Sequence, residues 1–303
     1  MKPMALLLLL LLALAPPPAS SSSSAAAAPA PRRRVNWYLS SGNVADNAAL
    51  IAAHGGAISG GYLCCGFGGT LANGSWASQA APEALAQMAP LTEAGREAWM
   101  VSSVAEAAVK SGAWAAGGAL ARAAEALRPL AAAGLAGLIV DYEPADDYTV
   151  AHAQAYADYL GALAAALAPL GVAVGFDIAG WGILGPALWP TYLEFARGVS
   201  RFTSMTPTYD ASNVTEDRVF VQQAVTAFPA GAYAAGVGSV LNGGLACEWD
   251  YKWNSTTFPA FVAFLAEEGV ATIDVWRCDI DHRYLPDNTA TWMLDALSGF
   301  LAG

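Results

Sequence analysis

The residues best suited to chemistry lie in one stretch, Leu135 to Pro144, which reads Leu-Ala-Gly-Leu-Ile-Val-Asp-Tyr-Glu-Pro. Leu138, Ile139 and Val140 form an unbroken apolar run, the pattern of a parallel strand covered on both faces. Asp141 and Glu143 follow two residues apart, so on a strand they leave the same side as Ile139, while Leu138, Val140 and Tyr142 leave the other. Pro144 cannot donate to a ladder and ends the strand. Two acids at the end of a buried strand are costly unless paired or put to use. They suit a general acid with a supporting carboxylate. A like charge in an apolar setting raises the pKa of a carboxylic acid, which is what proton donation near neutral pH requires. A hydrogen-bonded structural pair is the plainer alternative.

Eight strand–helix units position that stretch. The other expected strands are 35–39, 57–64, 97–103, 172–178, 202–208, 232–240 and 270–276. A Gly-rich loop, Gly66–Gly74, follows the second strand. The expected helices are 46–53, 82–94, 114–133, 151–170, 188–199, 215–227, 256–268 and 289–301. Strands alternating with amphipathic helices imply a parallel sheet. Eight units in about 270 residues imply an α/β chain folded as a (β/α)8 TIM barrel. A doubly wound open sheet is the rival, but Ser40-Ser41-Gly42-Asn43 after strand one is no dinucleotide fingerprint.

In such a barrel the functional groups gather at the carboxyl ends of the strands. Those ends offer Trp37 and Tyr38, Ser102 and Ser103, Asp141 and Glu143, and Asp177 and Trp181. Later ends offer Met205, Tyr209 and Asp210, then Asn242, Glu248 and Trp249, and finally Asp274, Trp276, Asp279 and Asp281. Carboxylates interleaved with aromatic rings suit a sugar. Acids act on the glycosidic oxygen, and ring faces stack on the apolar C–H face of the pyranose. The chain holds 10 Trp, several at strand ends, although some must serve as core filler.

The chain has 303 residues, a formal charge of −11 and a pI near 4.6. That balance argues against nucleic acid or an anionic membrane surface as partner. Lys2 precedes an apolar run from Met4 to Ala15, too short to span a bilayer comfortably and read as a signal peptide over 1–19. Residues 20–34 read as a low-complexity spacer and 35–303 as one catalytic barrel. The expected location is secreted or in the lumen of the secretory pathway, lysosome or vacuole, and the expected state is a monomer. Four cysteines, Cys64, Cys65, Cys247 and Cys278, suggest disulfides in such a compartment. Cys247 and Cys278 follow neighbouring strands, which makes them the expected pair. Asn73, Asn213 and Asn254 begin N-glycosylation sequons. His54, His152 and His282 are scattered and read as non-catalytic.

The fourth strand resembles that of the family 18 glycoside hydrolases, the chitinase-like barrels, whose pattern there is Asp-Gly-x-Asp-x-Asp-x-Glu. Gly137, Asp141 and Glu143 match it, while Ala136 and Ile139 stand at its first two Asp positions. Met205-Thr-Pro-Thr-Tyr209-Asp210 resembles the family's Met-x-Tyr-Asp motif with extra residues, and Trp276 fits its strand-eight tryptophan. The resemblance spans the barrel. It implies a substrate-assisted retaining hydrolase of N-acetylglucosamine-containing glycans, such as chitin, its oligosaccharides or N-glycan cores. On that resemblance Glu143 protonates the leaving oxygen, Asp141 holds the acetamido N–H, and Tyr209 donates to the acetamido carbonyl region. Asp210 binds sugar or Asp141, and Trp276 floors the pocket. Met205, Tyr38, Asp177 and Trp181 complete the expected substrate-binding set. No metal or cofactor is implied. Ile139 cannot accept a proton from Asp141, so the family's usual buried relay is missing, and Ser102-Ser103-Val104-Ala105 departs from the family's Ser-x-Gly-Gly turn. Two other readings stay open. One is a non-catalytic carbohydrate-binding member. The other is a two-glutamate retaining glycosidase, with Tyr142-Glu143-Pro144 in place of Asn-Glu-Pro and Glu248 as nucleophile.

Overall fold

The computed structural model describes residues 32–40, 44–142, 149–178, 199–204, 213–228, 231–240, 252–276 and 289–303. The strands among them are β1 (Arg34–Ser40), β2 (Gly60–Thr70), β3 (Trp76–Ser78), β4 (Glu97–Val104), β5 (Leu135–Asp141), β6 (Ala173–Ile178), β7 (Arg201–Ser204), β8 (Tyr233–Gly238) and β9 (Thr272–Trp276). Their order is β1-β9-β8-β7-β6-β5-β4-β2, and β1 also pairs with β2, so eight parallel strands close on themselves. The short β3 lies antiparallel on the far end of β2. The described helices are α1 (Val44–His54), α2 (Ala81–Glu93), α3 (Glu106–Ser111), α4 (Ala113–Ala116), α5 (Ala119–Ala132), α6 (Val150–Leu167), α7 (Val214–Ala227), α8 (Thr257–Glu267) and α9 (Thr291–Ala302). This is the (β/α)8 barrel that the strand–helix alternation implies. No described helix is long and apolar enough to cross a membrane.

Strand alternation divides the barrel into two cores. Val35, Trp37 and Leu39, Leu138 and Val140, Val174 and Phe176, and Ile273 and Val275 belong to the large core under the helices. The opposite faces of the strands fill the barrel interior, where Tyr38, Tyr62, Cys64, Trp99, Val101 and Ile139 form a separate cluster. Glycine makes room there. A Cβ at Gly137 would meet the Trp99 ring at 2.1 Å, and one at Gly175 would meet Ile139 Cδ1 at 2.7 Å. The bare backbone of one strand thus accepts the large side chain of its neighbour.

Two sequence expectations change. The Gly-rich segment 66–74 is not simply a loop. β2 runs on to Thr70 and folds back as a hairpin onto β3. Its glycines permit that because a Cβ at Gly68 would lie 2.1 Å from Ala77 O, and one at Gly69 2.1 Å from Ser103 O. Three backbones therefore approach more closely than any side chain allows. The helix expected over 114–133 is also broken: α4 and α5 are separate, with Gly118 in the left-handed region at φ 71°. The sequon asparagines do local structural work. Asn213 Oδ1 accepts the N–H of Thr215 and Glu216 to cap α7, and Asn254 Oδ1 accepts those of Thr256 and Thr257 before α8. Asn73 Oδ1 accepts the Ser75 N–H and hydroxyl in the turn after β2.

Candidate active site

The acid at the end of β5 emerges where the strand pattern places it. Ile139 faces the barrel interior and Asp141, two residues on, follows it toward the mouth, half-buried. Leu138, Val140 and Tyr142 face the helices. Tyr142 is anchored there by a 2.6 Å hydrogen bond between its hydroxyl and His152 Nε2 of α6. Burial lowers the His152 pKa, and Lys110 adds to this. His152 thus serves as a packing and hydrogen-bond partner of Tyr142. Asp141 stands in register with Ser103 of β4 on one side and Asp177 of β6 on the other.

A cavity of about 370 Å³ opens beside Asp141. The β2–β3 hairpin supplies Phe67, Leu71, Ala77 and Gln79 to its wall, and the end of β4 supplies Ser102 and Ser103. One carboxylate, several hydroxyl and amide groups and an apolar wall line it together, a combination suited to a small polar ring. The hairpin that the sequence left as loop is therefore a wall of the site.

Next to Asp141, the interior carries a layer of polar groups. Tyr38 of β1 donates its hydroxyl to Asp177 Oδ2 at 2.6 Å. Burial and then the charge of Asp141 hold the Asp177 pKa well above the usual carboxylate value. The Tyr38 ring lies 4.7 Å from both the Tyr62 and Trp276 rings. Trp276, at the end of β9, is only partly buried against this cluster. Deeper, Asp274 accepts hydrogen bonds from Asn36 Nδ2 at 2.8 Å and Thr203 Oγ1 at 2.6 Å. Arg201 stacks its guanidinium over the Trp99 ring at 4.6 Å and donates to the Tyr62 hydroxyl. Burial disfavours the Arg201 charge, but Tyr62 and Asp274 more than compensate and raise its pKa.

Of the expected site residues, Asp141, Asp177, Tyr38 and Trp276 converge at this end of the barrel. Glu143, Tyr209, Asp210, Met205 and Trp181 lie outside the described residues, as do Glu248, Cys247 and Cys278. Among the described residues no cysteine is free. Trp37, offered by the sequence as a rim residue, instead faces the helices and donates Nε1–H to Ala57 O at 3.2 Å. Sequence reasoning missed Asn36, Tyr62, Trp99, Arg201 and Thr203. Their only signal is that each alternates with residues of the outer core.

No family model and no curated protein matches the chain. Solved structures do. A chitinase from Chromobacterium violaceum is 14% identical, with a TM-score of 0.63 over 89% of this chain and 99% of its own. The spore cortex-lytic enzyme SleL of Bacillus megaterium is 12% identical, with a TM-score of 0.62 over 89% of this chain and 75% of its own. A Group IV chitinase of Ostrinia furnacalis, solved with allosamidin, is 11% identical, with a TM-score of 0.61 over 89% and 99%. The chain thus has the barrel fold of chitinases and of a cortex-lytic enzyme.

Proposed function

We infer that this chain is a glycoside hydrolase of N-acetylglucosamine-containing glycans, acting by substrate-assisted retention. The observation that carries the reading is Asp141. It ends an inner-face strand position, borders the cavity, and shares the mouth of the barrel with the aromatic pair Tyr38 and Trp276. The barrel shared with chitinases supports the same reading.

In this mechanism the 2-acetamido oxygen of the sugar attacks its own anomeric carbon. Glu143 gives its proton to the leaving glycosidic oxygen. Asp141 accepts the acetamido N–H and stands as an anion against the oxazolinium cation. Water then opens the oxazolinium, with Glu143 taking the proton back, and the configuration is retained. Tyr209 orients the acetamido carbonyl, Trp276 offers its ring to the sugar, and Met205, Asp210, Tyr38, Asp177 and Trp181 complete the pocket. The chemistry requires only the two carboxyl groups and the substrate's own amide. The chain works as a monomer on a carbohydrate, outside the cell or within the secretory pathway, with a signal peptide over 1–19, a spacer over 20–34, the barrel over 35–303, disulfides, and glycans on its sequons.

The test is a panel of acetamido glycosides with wild type and Glu143→Gln. Turnover by wild type, lost in Glu143→Gln with oligosaccharide binding retained, supports the reading. Binding without turnover in wild type points to a carbohydrate-binding protein. Turnover that depends on Glu248 as well as Glu143 points to a two-glutamate glycosidase.

A further inference from the structure

Asp141 has no acid beneath it on its own strand. The position one layer deeper on that face is Ile139, fully buried, with its Cδ1 against Gly175 of β6. An acid does stand beside it on the neighbouring strand. Asp177 is the register partner of Asp141 in the β5–β6 ladder. Adjacent strands lie about 4.8 Å apart, and in this parallel ladder the two side chains leave the same face of neighbouring strands, close enough for the Asp141 charge to act on Asp177.

The surroundings of Asp177 leave it short of counter-charge. It is 3% exposed. Asp141 faces it from β5, Tyr38 from β1, Tyr62 from β2, Arg201 and Thr203 from β7, and Asp274 from β9. The Arg201 guanidinium is turned to Tyr62, the Trp99 ring and Glu97. The Thr203 hydroxyl is given to Asp274 at 2.6 Å, and its hydrogen bonding also pulls the Asp177 pKa down, though less than burial and Asp141 raise it. Tyr38 serves Asp177 Oδ2, while Oδ1 has no hydrogen-bond partner among the described residues. Two adjacent carboxyl groups in such a setting do not both ionise. Burial first, and the Asp141 charge second, raise the Asp177 pKa.

We propose that Asp177 and Asp141 act as one unit that holds a single proton, with Asp177 on β6 supplying the acid that β5 lacks at Ile139. The proposal rests on the reading of the chain as an acetamido-glycan hydrolase. Asp177 is a positioning residue in that unit. Its Oδ1 carries the proton and donates it in a hydrogen bond to the Asp141 carboxylate, while the Tyr38 hydroxyl fixes Oδ2. Asp141 thus stays ionised where the oxazolinium forms. The proton remains within the pair throughout, so the unit keeps one negative charge before and after turnover.

The test is a carboxyl-¹³C titration of aspartate-labelled protein by NMR in wild type, Asp141→Asn and Asp177→Asn. Wild type should show an aspartate titrating well above the ordinary range that disappears in Asp177→Asn. In Asp141→Asn the same signal should persist but titrate lower by about one unit or more, because the adjacent charge is gone. On an acetamido glycoside, Asp177→Asn should move the alkaline limb of the kcat/KM profile, since the pair can no longer become doubly charged. A purely structural Asp177 would lower activity at every pH without moving the limb. An Asp177 signal unmoved by Asp141→Asn overturns the proposal even if the protein turns over substrate. Coupled titration with no turnover of any acetamido substrate sinks the hydrolase reading instead. Should Asp177→Asn fail to fold, Tyr38→Phe removes the hydrogen bond that favours the ionised form and should raise the Asp177 titration. An unmoved signal there also overturns the proposal.

Discussion

Tyr62 of β2 reaches Asp274 of β9 across the barrel interior, its hydroxyl 2.9 Å from both carboxylate oxygens. The strand between them, β1, adds Asn36 to the same carboxylate, and β7 adds Thr203. Four strands are therefore tied to one buried acid, with Arg201 supplying the positive charge. Burial still raises the Asp274 pKa against the pull of Arg201 and these donors.

Removing the cation while leaving the acid should be costly. Arg201→Met removes the charge that pulls the Asp274 pKa down, although the two are linked through the Tyr62 hydroxyl rather than in direct contact, so folding should lose stability. The sign with pH follows from the raised pKa. A carboxyl that binds its proton more tightly in the folded state contributes stability at low pH, and this is lost as pH rises above 3.8, its ordinary value. Urea denaturation should therefore show a larger deficit for Arg201→Met at pH 8 than at pH 5. Equal deficits at the two pH values would show that Arg201 acts by packing on Trp99 rather than by charge.

A second buried pair joins the first turn of α7 to the segment just before α8. Lys252 Nζ is 3.0 Å from Asp217 Oδ2, with the Asp217 side chain fully buried and the Lys252 side chain 8% exposed. Burial outweighs the lysine and lifts the Asp217 pKa to about 7. The desolvation penalty here exceeds the Coulombic gain. Because the pKa is raised, the contribution of Asp217 to stability should fall as pH rises from 3.8 to about 7. Replacing both residues, Asp217→Leu with Lys252→Met, should flatten that slope and leave stability near neutral pH unchanged or higher. Asp217→Leu alone should destabilise, by leaving a buried ammonium unpaired. Thermal melts of the three proteins across that pH range distinguish these outcomes.

The outer core was readable because Leu138 and Val140, or Ile273 and Val275, announce a buried strand by themselves. Asp141 was readable because it follows such a run by one residue, and its side follows from Ile139. The interior network was not. Asn36, Tyr62 and Thr203 are single polar residues inside apolar strands, and only the closure of the barrel brings them to Asp274. Arg201 opens β7 and reads in sequence as the edge of an element, although it is 4% exposed. The hairpin was missed because glycine ordinarily marks a turn. At Gly68 and Gly69 it marks close approach of backbones instead.

That close approach can be tested at Gly69. A methyl group there would sit 2.1 Å from the backbone oxygen of Ser103, which cannot rotate away. Gly69→Ala must push β2 from β4, and overpacking of this kind typically costs about 1–3 kcal/mol. Gly69 and Ser103 both line the cavity beside Asp141, so kcat/KM on an acetamido glycoside should fall along with the melting temperature. Gly95→Ala is the control for lost stability at a glycine outside the cavity lining. It sits at φ 66° with open space for a Cβ, and should lower stability while leaving kcat/KM intact. Equal kinetic losses in the two variants would mean that the hairpin does not shape the cleft.

Trp276 offers the most direct probe of sugar recognition. Its ring packs on Tyr38 at 4.7 Å, tilted by 53°, and the residue is only partly buried. Stacked aromatic contacts are worth about 0.5–1.5 kcal/mol beyond the area they bury, or roughly 2- to 13-fold in affinity. Trp276→Ala should weaken oligosaccharide binding by at least that factor, and Trp276→Phe by less. The loss should appear in KM more than in kcat, because a ring on the sugar's apolar face binds ground state and transition state alike. Tyr38→Phe separates the ring from the hydroxyl. It keeps the packing on Trp276 but removes the donor to Asp177, so its effect should fall on the pH profile rather than on KM. Should Trp276→Ala bind oligosaccharide as tightly as wild type, the tryptophan is only a cover for Tyr38, and the sugar lies elsewhere on the rim.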